Sequence, residues 1–223
     1  MIRLNIVVEG ATEETFVRDV LAPYWGAKGI FATARSVETN RKKGCVFRGG
    51  GRNYEKVRRD VVNWINQDHD AYCTTMFDLY GLPANFPGKS SIGPIWPAYD
   101  RVRYLEDAFA GDIDSNRFIP YIQLHEFEAL LFADIDKMRI FYLEDKTNAI
   151  QRLKNIVNAF GSPELINEGN ETAPSKRIIK EIPEYKDNKV LIGPTVAKEI
   201  GLPILRERCV HFNEWINKIE SLS

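Results

Sequence analysis

Cysteine and histidine are scarce in this chain, three of each in 223 residues. Cys45, Cys73 and Cys209 are far apart and form no C-x-x-C pair. That argues against a disulfide framework or zinc knuckle and fits a reducing cytoplasm. No Ser-His-Asp or Cys-His motif stands out, and no Walker A loop is present to hydrolyse ATP. Long apolar runs are also missing. None reaches the roughly 18 residues a membrane span needs, and no signal peptide precedes the first strand-like run, so a cytoplasmic location is expected. Net charge names no partner, because 30 basic and 31 acidic residues leave −1. A composition of 44% hydrophobic and 27% charged residues is that of a soluble globular protein. The length suits one large domain or a domain with an appendage.

Local charge says more. From Arg35 to Arg59 nine Lys or Arg face only Glu38 and Glu55. A polyanion is one reason for such an excess, and a solvated loop and helix face is the other. Within it, Arg48-Gly49-Gly50-Gly51-Arg52 reads either as a phosphate cradle of backbone N–H groups or as a plain surface turn.

Along the chain, apolar runs of strand length at Leu4 to Val8, Ile30 to Val37, Tyr72 to Phe77 and Phe118 to Leu124 alternate with helical patterns. The helices are expected from Thr12, at Tyr54 to Asn66, at Ala98 to Ala110, and at His125 to Phe132. A basic loop at Arg41 to Arg52 and an irregular, proline-rich loop at Leu82 to Pro97 interrupt them. The alternation predicts an α/β fold with a mostly parallel sheet flanked by helices. Beyond about Asp134 helices dominate: Lys146 to Phe160, Ser175 to Ile182, Val190 to Ile200 and Pro203 to Leu222. We therefore expect an α/β domain over 1–134 and a helical addition over 135–223 packed on it. Trp25, Trp64, Trp96 and Trp215 read as core or lid residues rather than base-stacking platforms.

The chemistry is concentrated at strand ends. Glu9 follows the first run, Asp78 the third, and Glu126 and Glu128 the fourth. Such positions point into the crevice where open α/β sheets bind ligands. Mg²⁺ takes oxygen ligands, usually one or two carboxylates with water and substrate phosphates, and Mn²⁺ suits the same donors. Glu9, Asp78, Glu126 and Glu128 are thus candidate metal ligands, with Glu9, Asp78 and Glu126 the catalytic candidates. Glu126 and Glu128 diverge by about 200° on a helix, so one of them should face the site, and Glu126 is nearer the strand end. His125 reads as a phosphate contact, an acid, or a hydrogen-bonded structural histidine. Lys176 and Arg177, beside Ser175 at a helix start, read as an anion site or as a solvated basic turn.

These motifs resemble a known family. Val8-Glu9-Gly10-x-Thr12-Glu13-Glu14, Phe77-Asp78-Leu79-Tyr80-Gly81-Leu82-Pro83, Gln123-Leu124-His125-Glu126-Phe127-Glu128-Ala129-Leu130-Leu131-Phe132 and Ala173-Pro174-Ser175-Lys176-Arg177 look like a bacterial Toprim-like family of unassigned function, domain of unknown function 4276. It is related to the Toprim domains of the overcoming-lysogeny-defect nucleases. The resemblance implies a Toprim-like sheet, with Glu9 as general acid/base and Asp78 as the first Asp of a Mg²⁺-binding Asp-x-Asp. Here Tyr80 stands in place of the second Asp. The resemblance also implies a nuclease acting on DNA or RNA, paired with an AAA- or ABC-type ATPase in phage defence. A non-catalytic metal-, nucleotide- or nucleic-acid-binding module is the alternative that Tyr80 favours. A metal phosphatase acting on small esters is a third. The oligomeric state stays open.

Overall fold

Leu4, Ile6 and Val8 turn to one side of a β-strand and Val7 to the other, and all four are buried. A strand with two apolar faces belongs inside a parallel sheet covered on both sides. The computed structural model describes residues 1–42, 45–48, 53–93, 95–142, 144–167 and 169–223, with the backbone alone for 38–42, 45–48, 144 and 170.

That strand, β1 (Ile2–Val8), pairs in parallel with β2 (Ile30–Ser36), in register from Ile2↔Ile30 to Val8↔Ser36. On its other side it pairs with β5 (Ala71–Asp78), also parallel, from Arg3↔Ala71 to Val8↔Met76. Between them come α1 (Ala11–Phe16), a π-helical stretch Val17–Leu21, α2 (Ala22–Gly26) and α3 (Tyr54–Gln67). After α4 (Ala98–Ile113), β6 (Phe118–Ile119) and β7 (Ile122–Gln123) extend the sheet beside β5. The five strands are all parallel, as the alternation predicts.

The expected strand Phe118 to Leu124 is split, because Pro120 has no N–H to give the ladder. Thr75 bridges the gap: its Oγ1 donates to Tyr121 O at 2.9 Å and accepts from Tyr121 N at 3.0 Å. The expected helix at His125 to Phe132 is replaced by a 3-10 turn at Phe127–Ala133, with His125 at φ 64° and Glu126 extended. The tighter i→i+3 winding, begun by Ala129 N donating to Glu126 O, leaves both residues outside the helix. The expected basic loop is in part an antiparallel hairpin, β3 (Glu38–Lys42) with β4 (Cys45–Arg48).

The C-terminal helices are α5 (Thr147–Phe160), α6 (Pro174–Glu181), α7 (Tyr185–Ile200), α8 (Leu202–Arg208) and α9 (Val210–Glu220). They share one hydrophobic cluster with Leu4, Ile6 and Val8, while α3 and α4 cover the opposite face with Val7 and Phe77. At its centre Tyr121 stacks on Trp215 at 4.3 Å, and Trp215 Nε1 donates to Thr74 Oγ1. The single helix expected over Pro203 to Leu222 breaks at Cys209, where the fully buried Glu164 carboxylate starts a new one. It accepts from His211 N at 3.0 Å, Phe212 N at 2.9 Å and Tyr99 Oη at 3.2 Å. Those bonds satisfy N–H groups that every helix start leaves open. Glu164→Ala should therefore cost about 2–4 kcal/mol, since it strips a buried cap and strands its donors. Urea unfolding measures this, and a cost under about 0.5 kcal/mol, the level of an ordinary surface change, would refute the capping role.

Candidate metal and acid/base site

Glu9, at the end of β1, reaches over to the end of β5. Its Oε2 accepts from Asp78 N at 3.1 Å, which fixes the two acids side by side. The carboxylate lies so close to Gly81 that a Cβ there would meet both of its oxygens at 2.3 Å. Glycine in the Tyr80-Gly81 turn is thus a matter of space for Glu9. Glu13, from the first turn of α1, folds back so that its Oε2 accepts from Gly10 N at 2.9 Å. Glu13 and Glu128 are buried and Glu9, Asp78 and Glu126 half-buried, with the Asp78 Oδ1 atom itself buried.

The five carboxylates act on one another. Burial pushes the Asp78 carboxyl well above the ordinary carboxylate range, and Glu13, Glu9, Glu128 and Glu126 add to the push. Burial likewise raises Glu9, against the Asp78 N–H bond that lowers it and with help from Glu126 and Glu128. Glu13 is raised to about 7, by burial first and then by Glu9 and Glu128. Glu128 is raised by burial, opposed by Lys189. Lys189 Nζ, from α7, lies 3.0 Å from Glu128 Oε1, and Tyr185 Oη donates to the same oxygen at 3.3 Å. Burial works to lower Lys189, but Glu128, Glu126 and Asp78 outweigh it and raise its pKa. Glu126 Oε2 accepts from Ser175 N at 2.9 Å, at the start of α6.

The partners therefore differ. Glu9, Glu126 and Glu128 each have a fixed donor, whereas Asp78 Oδ1 is buried and has none. Among the described residues, no three His, Cys, Asp or Glu side chains stand close enough to hold one ion as they are placed. The donor set is nonetheless all oxygen, the kind Mg²⁺ and Mn²⁺ take, and the unpartnered Asp78 Oδ1 offers a ligand atom.

Residues 8–220 match the model of the family described as Domain of unknown function (DUF4276). The chain belongs to this family. Among solved structures it is similar to the C-terminal region of the Xanthomonas campestris pv. campestris OLD protein, in one crystal phased with iodine and one phased with platinum. The first is 14% identical, with 100% of this chain and 97% of that one covered and a TM-score of 0.43. The second is also 14% identical, with 99% and 95% covered and a TM-score of 0.46. No curated protein matches.

The remaining expected residues of this family member lie at varying distance from the acids. His125, 3% exposed, stands next to Glu126 with its ring 5.4 Å from that of Tyr80. Burial, and then the charge of Arg101, lowers its pKa to about 4, so it is neutral at pH 7. Lys176 is exposed on α6, while Arg177 Nε donates to Thr172 O at 2.6 Å and its guanidinium lies over the Phe160 ring. The first turn of α6 already donates to Glu126, so an external anion would compete with that carboxylate. The Arg48 side chain, Arg52 and the Gly49-Gly50-Gly51 turn lie outside the described residues. Sequence reasoning missed Glu13 and Lys189. The spacing Gly10-x-x-Glu13 was a usable sign, since residue three of a helix reaches back to its cap. Lys189 carried none, because only tertiary packing brings α7 to the strand ends.

Folded Glu13 holds its proton more tightly than the unfolded residue, about 7 against 4.5, so acid favours its folded form. The penalty is absent below about pH 4.5 and complete once pH has climbed past about 7. Glu13→Gln keeps the bond to Gly10 N and deletes the charge. Its thermal midpoint should exceed that of the wild-type chain by several degrees at pH 8 and equal it at pH 4. A gap of the same size at both pH values would contradict the buried-charge account.

Proposed function

We propose that this chain is a Mg²⁺-dependent, Toprim-type phosphodiesterase acting on DNA or RNA. The observation that carries the reading is the carboxylate cluster at the ends of parallel strands, in which Asp78 Oδ1 is buried and unpartnered. Asp78, with Glu9 beside it, would hold the ion, and Glu126, whose Oε2 is bonded to Ser175 N, would add its other oxygen. A divalent ion there supplies charge neutralisation at a phosphate oxygen. Glu9 Oε2 is engaged by Asp78 N, which leaves Oε1 to exchange a proton with the attacking or leaving oxygen. A carboxyl whose pKa burial has raised is better matched to proton transfer near neutral pH than an ordinary one. The basic segment from Arg35 to Arg59 would track a nucleic-acid backbone. The family resemblance adds an AAA- or ABC-type ATPase as the partner that controls the output, in the cytoplasm and in phage defence. No described helix is long and apolar enough to cross a membrane.

A non-catalytic binding module is the second reading. Two observations favour it: Tyr80 replaces a carboxylate, and Lys189 already offers Glu128 a cation at 3.0 Å. Nuclease assays on DNA and RNA, with and without the ATPase, separate the two readings when run beside Mg²⁺ calorimetry. We expect Glu9→Gln to lower Mg²⁺-dependent cleavage by about 10²- to 10⁴-fold. Asp78→Asn should abolish both cleavage and the Mg²⁺-induced rise in thermal midpoint. Full activity in either variant would rule out the catalytic assignment, and Mg²⁺ binding without turnover would favour the module.

A further inference from the structure

Two of the first five residues of α7 meet the same oxygen of Glu128. Tyr185 Oη donates to Glu128 Oε1 at 3.3 Å, and Lys189 Nζ lies 3.0 Å from it. Their i, i+4 spacing puts both side chains on one face of the helix. Around them Lys186, Asp187, Asn188, Val190 and Leu191 are exposed, so the inward turn belongs to Tyr185 and Lys189 in particular. Gly193, another four residues along, keeps that face close, since a Cβ there would meet Tyr185 Oη at 3.1 Å and Phe127 at 3.2 Å. Glu128 is buried, while the Lys189 side chain retains 31% of its exposure. The ammonium thus stands at the border between a buried carboxylate and solvent.

A carboxylate as deeply buried as Glu128 is strongly disfavoured without a cation. In a group of oxygen donors that cation can be a divalent ion or a side chain. Metal-dependent phosphodiesterases often hold two ions about 4 Å apart, each with carboxylates of its own. In this chain the carboxylates fall into two sets. Glu9 and Asp78 are fixed side by side through Asp78 N, and Asp78 Oδ1 has no donor. Glu128 instead has an ammonium at contact distance and a phenol on the same oxygen. We propose that Lys189 is a resident cation, which holds at Glu128 the place of a second divalent ion and so limits the cluster to one. It rests on the phosphodiesterase reading in that the remaining ion is the one at Asp78 and Glu9. Lysine suits the role, because its ammonium is a compact point charge on a long flexible stem. A doubly charged ion brought to Glu128 would meet a like charge at short range and would have to displace it.

The test counts Mn²⁺ bound to the metal-stripped full chain at pH 8, from the loss of the free ion's electron paramagnetic resonance signal. Wild type should bind one Mn²⁺ per chain and Lys189→Met two. Combining Lys189→Met with Glu128→Gln should return the count to one, because the added ion sits on that carboxylate. Lys189→Arg, which keeps the charge, should stay at one. Without metal, Lys189→Met should melt several degrees below wild type, and saturating Mn²⁺ should close the gap. Should Lys189→Met not fold without metal, recovery of its circular dichroism by Mn²⁺ supports the inference, and failure to recover overturns it. Two ions on wild type or on Lys189→Arg, or an unchanged count in Lys189→Met, would overturn it. So would a second ion that survives Glu128→Gln, or a thermal deficit that Mn²⁺ leaves in place. Cleavage assays keep the two ideas apart. The expected counts without cleavage of DNA or RNA support the resident cation and remove the phosphodiesterase reading. Mg²⁺-dependent cleavage with equal counts in wild type and Lys189→Met does the reverse.

Discussion

Like charges forced together at the open end of a parallel sheet are the constraint around which this molecule is arranged. Glu9, Glu13, Asp78, Glu126 and Glu128 come from three strand ends and one helix start, and the four glutamates together raise the proton affinity of Asp78. Such a cluster opposes folding at neutral pH, so each acid needs compensation nearby. Glu9 has the Asp78 amide, Glu13 the Gly10 amide, Glu126 the Ser175 amide, and Glu128 an ammonium and a phenol. Three of these four arrangements use backbone N–H groups, which are fixed by the fold and need no ordering of a long side chain. Asp78 Oδ1, by contrast, is buried with no hydrogen-bond partner.

The same compensation ties the C-terminal helices to the sheet. Glu126 is bonded to α6, Glu128 to α7, and Glu164 caps α9 while holding Tyr99 of α4. Gly193 of α7 packs so closely that a Cβ would meet Tyr185 Oη at 3.1 Å and Phe127 at 3.2 Å. The helical region therefore lends charge and hydrogen bonds to the acids as well as covering an apolar face. A change in α7 would be felt at the carboxylates through Lys189 and Tyr185 even where the sheet is untouched.

How much of this was legible in the sequence depends on the range of the interaction. β1, β2, β5, α3 and α5 were readable because their apolar spacing is local, and Glu9 and Asp78 because strand ends in such sheets converge. Helices were blurred where a distant residue decides. The break at Cys209 is made by Glu164, remote in sequence, and no pattern around residue 209 announces it. The His125 to Phe132 segment has the composition of a helix, yet the sheet demands that His125 turn at φ 64° to stay beside Tyr80. Glu128 was suspected from its place after the fourth apolar run and does lie among the other carboxylates, but its lysine partner is 61 residues further on, beyond any local reading.

Tyr80 brings these threads together. A phenol at position 80 adds no negative charge to a group that already pushes Asp78 well above its ordinary range. Lys189 offsets the charge of Glu128. On the proposed reading, Asp78 and Glu9 would be the seat of a single divalent ion. Charge on the substrate phosphate would then be met by a cation at Asp78, while Glu9, held by the Asp78 amide, would exchange the proton. Groups fixed by the fold in this way need no reorganisation when charge develops, which is the condition under which they are most effective.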